Sequence, residues 1–321
     1  MCCRWRCWRV VRWYNSGMKI AVTGGSGFVG SKLSALLAAQ GHDVLVLDRF
    51  PPRTEVEGVR FASTDLVHDL PLEEFLACDA VVHLAGVNIF ARWTDAYKRM
   101  ILSSRAETAH ALIEAARVFG RGPRIFVSAS AVGYYGDGGE AVLAESSPNG
   151  SDFLASVCGK WEAAAQAAET AGMRWVSVRT GIVIGPGGGM LAKLLPFFRL
   201  GLGGPMGSGR QWFSWISLDD LLAVYVAAIS DDRMRGPVNA VSPNPVRNRE
   251  LARAIGAAVR RPAFLPLPGF ALRLILGELG GVVLMSQRAV PQKLNELGFV
   301  FESPDIREAL RAAVGKEAAS Q

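Results

Sequence analysis

Histidine is scarce in this chain. His42, His68, His83 and His110 are the only four in 321 residues, none at the spacing of a zinc or iron site, and no metal is expected. Cysteine is almost as rare. Three of the five (Cys2, Cys3, Cys7) lie in the first 17 residues, which leaves Cys78 and Cys158, too few for a disulfide framework. No apolar run is long enough to cross a bilayer. The longest late stretch, Phe270 to Met285, is interrupted by Arg273 and Glu278 and reads as an amphipathic or buried helix. Acid is absent from residues 1–17, which carry Arg4, Arg6, Arg9 and Arg12 beside Trp5, Trp8 and Trp13. Those arginines hold four of the net +6 charges, leaving +2, and no later basic stripe interleaves with aromatics. Neither a nucleic-acid partner nor a membrane is expected. The first 17 residues carry one serine, Ser16, where a transit peptide is serine-rich, and lack the apolar core of a signal peptide. They read as an extension ahead of a protein that starts at Met18, and a cytoplasmic location is expected.

Glycine, by contrast, is abundant and placed. Ile20, Ala21 and Val22 form an apolar run that reaches Thr23 and gives way to Gly24, Gly25, Ser26, Gly27, Phe28, Val29 and Gly30. From Phe28 to Gln40 the period becomes helical, with Val29, Leu33, Leu36 and Leu37 on one face. A strand, a glycine turn and a helix N-terminus in that order form an anion site. The helix offers unpaired N–H groups, and the glycines let a pyrophosphate come close to the backbone. A second strand, His42 to Leu47, runs into Asp48 and Arg49 and completes the unit of a dinucleotide site.

The chain continues as alternating elements. Strands are expected at 59–62, 80–84, 124–128 and 175–178, and helices at 72–77, 94–119 and 151–171. Half the residues are apolar and a fifth charged, which suits a parallel α/β protein with a sizeable core. Its strands close in small or polar residues, so ligand chemistry belongs at their carboxyl ends. The glycine-rich segments 185–189 and 201–204 mark a joint. Residues 18–185 read as the dinucleotide-binding domain and 186–321 as a smaller lobe. In that lobe a helix is expected over 190–200, an aromatic strand or loop over 211–216, and a helix over 219–229 with Asp219 or Asp220 near its N-cap.

Thr23-Gly-Gly-Ser-Gly-Phe-Val-Gly30, His83-Leu-Ala-Gly86 and the stretch from Arg179 to Gly185-Pro186 resemble the extended, epimerase/dehydratase branch of the short-chain dehydrogenases/reductases. Longer strings are similar to its atypical group, family 39U: Ser128-Ala-Ser-Ala-Val-Gly-Tyr-Tyr-Gly136, residues 202–216, and Pro245-Val-Arg-Asn248. Residues 262–313 resemble the domain of unknown function that ends those proteins. The resemblance spans 18–313 and implies a Rossmann-type doubly wound parallel sheet with a C-terminal lobe. It also implies a relay of Tyr, a Lys four residues later and an upstream Ser, which this sequence does not carry. The corresponding helix reads Asp152-Phe-Leu-Ala-Ser-Val-Cys-Gly-Lys-Trp-Glu162. Aligning its Trp-Glu end puts Cys158 at the Lys position and Leu154 at the Tyr position; shifting the frame to Lys160 leaves Ser156. Cys158, with Arg105 on the long helix, matches the group's own pattern.

The candidates for chemistry are therefore Ser128 and Ser130, which would orient a carbonyl or carbinol, with Tyr135 and Cys158. Hydride would pass over the turns at Ala85-Gly86 and Thr180-Gly181, and the proton would come from Tyr134, Tyr135, Cys158 or water. Cofactor contacts are expected from residues 23–30, Asp48, Arg49, Asp65, Leu66, Leu84, Ala85, Gly86, Arg105 and Thr180. A fairly apolar pocket is expected from Tyr134, Met190, Met206, Arg210, Trp212 and Trp215. Asp48 favours NAD through the ribose hydroxyls, and Arg49 favours NADP through the 2′-phosphate. The balance tips to NADP. Two functions stay open: an NAD(P)-dependent oxidoreductase or epimerase-like enzyme on a small molecule, and a non-catalytic dinucleotide sensor. A homodimer through the helices at 94–119 and 151–171 is one expected assembly.

Overall fold

The computed structural model describes residues 17–318; the expected extension lies outside these except for Gly17. In chain order the first half contains β1 (Lys19–Thr23), α1 (Phe28–Ala39), β2 (Asp43–Asp48), β3 (Val59–Ser63), α2 (Leu72–Leu76) and β4 (Ala80–His83). It continues with α3 (Asp95–Phe119), β5 (Ile125–Ala131), β6 (Val142–Leu143), α4 (Phe153–Gln166) and β7 (Arg174–Thr180). The second half opens with β8 (Ile182–Ile184), α5 (Gly189–Arg199), β9 (Trp212–Phe213), β10 (Trp215–Ser217), α6 (Leu218–Ser230) and β11 (Gly236–Ala240). It closes with β12 (Val246–Arg247), α7 (Asn248–Val259), α8 (Gly269–Leu276), α9 (Glu278–Val283), β13 (Arg288–Ala289), α10 (Gln292–Glu296) and α11 (Ile306–Ala318).

Seven strands form one sheet in the order β11-β7-β5-β4-β1-β2-β3, with every pairing parallel. This is the expected doubly wound α/β fold, and the order reverses between β1 and β4, where such sheets open a ligand crevice. β1, β2 and β4 are apolar and buried along their centres (Ile20–Val22, Val44–Leu47, Ala80–Val82) because helices cover both faces. One core layer packs α1 and α6 on the sheet through Leu33, Leu37, Leu221 and Tyr225. The other packs Leu112, Ile113, Ala164 and Ala168 from the α3 and α4 side.

Several boundaries differ from expectation for identifiable reasons. β5 runs three residues past Ser128, because its pairing with β7 continues to Ala131 opposite Thr180. The helix expected over 151–171 is α4 followed by a tight turn at Ala167–Ala171. Phe270 to Met285 is two helices broken at Gly277, whose φ of 62° no helix continues through. Ser217 caps α6, its hydroxyl accepting from the Asp220 N–H at 3.0 Å, and Asp219 and Asp220 stand in the first turn beside that cap. The division at residue 185 is also not clean, since α6 and β11 return from the later half to complete the sheet.

Candidate active site

The crevice begins at Thr23. Its Oγ1 lies 2.8 Å from His83 Nδ1 and accepts from the Ala85 N–H at 3.3 Å, tying the ends of β1 and β4 together. Gly24 follows with φ of 67°, and a Cβ there would lie 2.8 Å from the Ala85 nitrogen; the turn admits only glycine. Gly25 lies under Val46 and Gly30 against the Gly24 carbonyl, so the strand-to-helix turn is as tight as its sequence implies. α1 starts at Phe28 after Gly27, with no side-chain cap and no acid in its first turn. Its leading N–H groups and partial positive charge are left for an anion, the property a dinucleotide pyrophosphate requires. Phe28 and Val29 pack on the core below.

At the end of β2, Asp48 serves the glycine turn. One carboxylate oxygen accepts the Ser26 N–H at 3.1 Å and the other the Arg49 N–H at 2.7 Å. Arg49 is 67 % exposed and reaches Asp65 at 3.1 Å. Asp65 accepts from Val67 N–H at 3.1 Å, and this bond, then Arg49, holds its carboxyl below the usual range. Leu66 is buried beneath.

The reacting end differs from the expectation. Ser128 and Ser130 sit inside the longer β5 and are both buried. The Ser128 hydroxyl turns to the Ala129 carbonyl, and Ser130 donates to Glu162 Oε1 at 2.6 Å. Neither presents a free hydroxyl to the crevice. Cys158 is buried on α4, and burial pushes its thiol up to about 12 against the weaker pull of Arg105. It is a neutral thiol at physiological pH, not the thiolate that reactivity requires. Burial likewise raises Tyr135 to about 12, while its hydroxyl donates to Asn239 at 2.6 Å and accepts from Arg179 at 2.9 Å. Leu154, at the position where the resemblance calls for Tyr, is buried.

Beneath these groups lies a pair whose role sequence reading missed. Arg179 and Glu162 join at 2.8 Å through two parallel hydrogen bonds, both side chains nearly fully buried. Burial alone would lower the guanidinium's pKa; the Glu162 carboxylate reverses this and raises it. Arg179 also stacks on the Tyr134 ring at 3.5 Å. Both residues were visible, in the Trp-Glu end of the helix motif and in the Arg179 motif, but nothing in either announced the partner. Arg105 donates to the carbonyls of Ile101 and Val87, lies over Trp161 at 5.2 Å and covers Gly86 so closely that a Cβ there would meet it at 2.9 Å. Thr180, which ends β7, turns its hydroxyl to Val178 O at 3.2 Å. Leu84 packs on the sheet core and Ala85 on the α3 side.

Of the expected pocket residues, Trp215 is a correction. It is fully buried, packs with Phe198, Leu251 and Leu310, and donates to the Asn244 carbonyl at 2.9 Å. Met206 is also buried, bridged to Leu267 beside Asn248. Met190 is half-buried and Arg210 exposed. Trp212 is half-buried, with Arg247 3.9 Å and Arg288 4.5 Å from its ring and its N–H donated to Glu140 at 3.0 Å. Glu140, Arg247 and Arg288 are additions the sequence did not single out. Among the described residues no cluster of His, Cys, Asp or Glu could hold a metal, and no helix is long and apolar enough to cross a membrane.

Residues 20–240 match the NAD dependent epimerase/dehydratase family, and residues 267–313 match a domain of unknown function (DUF1731). The epimerase family protein SDR39U1 homolog, chloroplastic, of Arabidopsis thaliana is 40 % identical over 306 residues, covering 92 % of this chain and 87 % of that protein. The Homo sapiens epimerase family protein SDR39U1 is 36 % identical over 302 residues, covering 92 % of this chain and all of that protein. A crystal structure of human epimerase family protein SDR39U1 (isoform 2) with NADPH superposes with a TM-score of 0.81 at 34 % identity, covering 93 % of this chain and 99 % of that one.

Proposed function

The chain belongs to the NAD dependent epimerase/dehydratase family, and from that membership we propose that it is an NADP-dependent oxidoreductase or epimerase-like enzyme acting on a small molecule. One observation carries the cofactor choice: an exposed Arg49 at the end of β2, beside an uncapped α1 N-terminus. Asp48, the residue that argued for NAD, is already occupied by two backbone N–H groups, while Arg49 needs only to release Asp65 to meet a 2′-phosphate. The human relative crystallised with NADPH supports the same choice.

A nicotinamide supplies the hydride acceptor or donor in this reading. The chain's own residues do the rest. Gly24 to Gly30 and the α1 N-terminus bind the pyrophosphate, and the turns at Ala85-Gly86 and Thr180-Gly181 set the reacting face. With Ser130, Tyr135 and Cys158 committed to internal partners or held neutral, Tyr134 is the phenol that moves the proton. It is half-buried, the Arg179 guanidinium lies 3.5 Å from its ring centroid, and its hydroxyl has no partner among the described residues. The free, buried thiols Cys78 and Cys158 suit a reducing compartment, in keeping with a cytoplasmic location.

Calorimetric titration with NADPH and NADH tests the reading. NADPH should bind more tightly, and Arg49→Ala should weaken NADPH by about 10- to 100-fold, the worth of charge-assisted phosphate contacts, while leaving NADH unchanged. Preference for NADH, weakened in Asp48→Ala, overturns the cofactor assignment. Binding of neither overturns the enzyme.

A further inference from the structure

Around Trp212 the chain builds an anion site and fills it with one of its own carboxylates. Arg247 reaches both oxygens of Glu140, at 2.8 and 2.6 Å, in the planar fork that matches a carboxylate. The Trp212 N–H adds a third donor at 3.0 Å. Arg288 lies against the same indole and has no acceptor of its own among the described residues. Arg247 holds the Glu140 carboxylate directly and Arg288 adds positive charge nearby, while Glu250 accepts the Arg247 backbone N–H at 2.9 Å.

The exposures are unequal. Arg247 is 21 % exposed and Glu140 72 %, so the donors are set into the protein and the acceptor is supplied from outside. Glu140 stands on the turn that holds Gly136, Gly138 and Gly139. Ser286 fixes that turn, its N–H donating to Asp137 and its hydroxyl to the Gly139 carbonyl. The backbone is held by the fold, and the exposed Glu140 side chain by its bonds to Arg247 and Trp212. The cluster also borders the crevice: Ser214, two residues on from Trp212, places its carbonyl 2.9 Å from where a Gly181 Cβ would sit, and Gln287 bridges the Trp212 and Gly136 carbonyls.

We propose that Arg247, Arg288 and the Trp212 N–H form a subsite for a carboxylate on the substrate, and that Glu140 occupies it until the substrate displaces it. This assigns a carboxylate-bearing small molecule as the substrate class, and it rests on the reading that the crevice takes a small-molecule substrate. Arg288, without an acceptor while Glu140 is in place, gains one when the incoming carboxylate spans both guanidinium groups.

The test is ligand-observed fluorine NMR on the full chain with 4-fluorobenzoate, with its neutral amide 4-fluorobenzamide as control. Glu140→Gln keeps the shape and removes the competing charge, and should tighten 4-fluorobenzoate about fivefold, the scale of one exposed ion pair. Adding Arg288→Ala should abolish the gain, and 4-fluorobenzamide should show none. No gain in Glu140→Gln, an equal gain for the amide, or a gain confined to inorganic phosphate overturns the subsite. NADPH binding measured on the same samples separates the two readings. Unchanged NADPH affinity with no carboxylate gain removes the subsite alone, whereas loss of NADPH binding in the unsubstituted chain removes the enzyme.

Discussion

His83 ends β4 with its Nδ1 toward Thr23 Oγ1 and its Nε2 3.2 Å from the Arg105 carbonyl. The neutral Nε2–H tautomer suits these neighbours: the ring donates toward the Arg105 carbonyl and the Thr108 hydroxyl, both 3.2 Å away, and Thr23 donates to the ring while accepting from Ala85. A protonated ring would point a second donor, Nδ1–H, at the Thr23 hydroxyl and remove the acceptor that hydroxyl donates to. Burial accordingly lowers His83 from 6.5 to about 4. The unfolded chain therefore binds the proton first, and stability is lost as pH falls from about 6.5 to about 4, by roughly 3 kcal/mol in total. His42, lowered by its own burial, contributes in the same direction. Urea unfolding at intervals from pH 7 to 5 should show the decline, and His83→Gln should flatten it to the remainder from His42. An unchanged slope in that variant assigns the proton elsewhere. The motif around His83 announced a crevice residue, but not that its chemistry is to stay neutral.

At the scale of elements, α1 and the glycine joint ahead of α5 are built against one another. A Cβ on Gly188 would lie 2.2 Å from the Phe28 ring, at the first turn of α1. Gly188 has φ of −169°, ordinary extended backbone, so the constraint is space alone. Gly188→Ala should therefore cost about 1–3 kcal/mol by overpacking, and most of that cost should vanish in a Phe28→Ala background. Denaturation of the two single variants and the double variant measures this; additive costs would mean the joint and the helix do not touch. The sequence showed the glycines and the aromatic, and even the joint, but not their contact, because more than 150 residues separate them. The aromatic stretch shows the same limit more sharply. Phe213 pairs antiparallel with β12, while Trp215 pairs parallel with β8, and Ser214 between them belongs to neither strand. Alternation breaks at that point, and two tryptophans that look equivalent in sequence become a half-buried ring between Arg247 and Arg288 and a core ring. Strands β1, β2 and β4 were legible because each is buried on both faces and needs no partner to be recognised. The Ser128 and Ser130 environment was not, because the length of β5 is set by β7.

The whole molecule is more interwoven than its two sequence matches suggest. β11 pairs with β7 at the edge of the sheet, where Pro237 is tolerated, although it follows the first elements of the second lobe. Leu294 of α10 is fully buried in the sheet's own core, and Asn239 in β11 donates to the Leu143 and Val290 carbonyls. Asp220 accepts the N–H groups of Glu302 and Ser303, fastening α6 to the segment before α11. Ile306 and Leu310 then fill the core that Trp215 and Phe198 share. Burying Leu294, Ile306 and Leu310 contributes roughly 5–9 kcal/mol, comparable with the ~5–15 kcal/mol that separates a folded domain from its unfolded chain. A chain ending at Arg261 should therefore not keep a folded dinucleotide domain, and calorimetry of the full chain should give one transition whose van't Hoff and calorimetric enthalpies agree. Two transitions, or a truncated chain that still unfolds cooperatively and binds NADPH, would show instead that the sheet is complete without its C-terminal lobe. The loop carrying Glu140 touches Ser286 and Arg247 from that lobe, so the same cooperativity fixes the relative placement of the crevice and the carboxylate subsite.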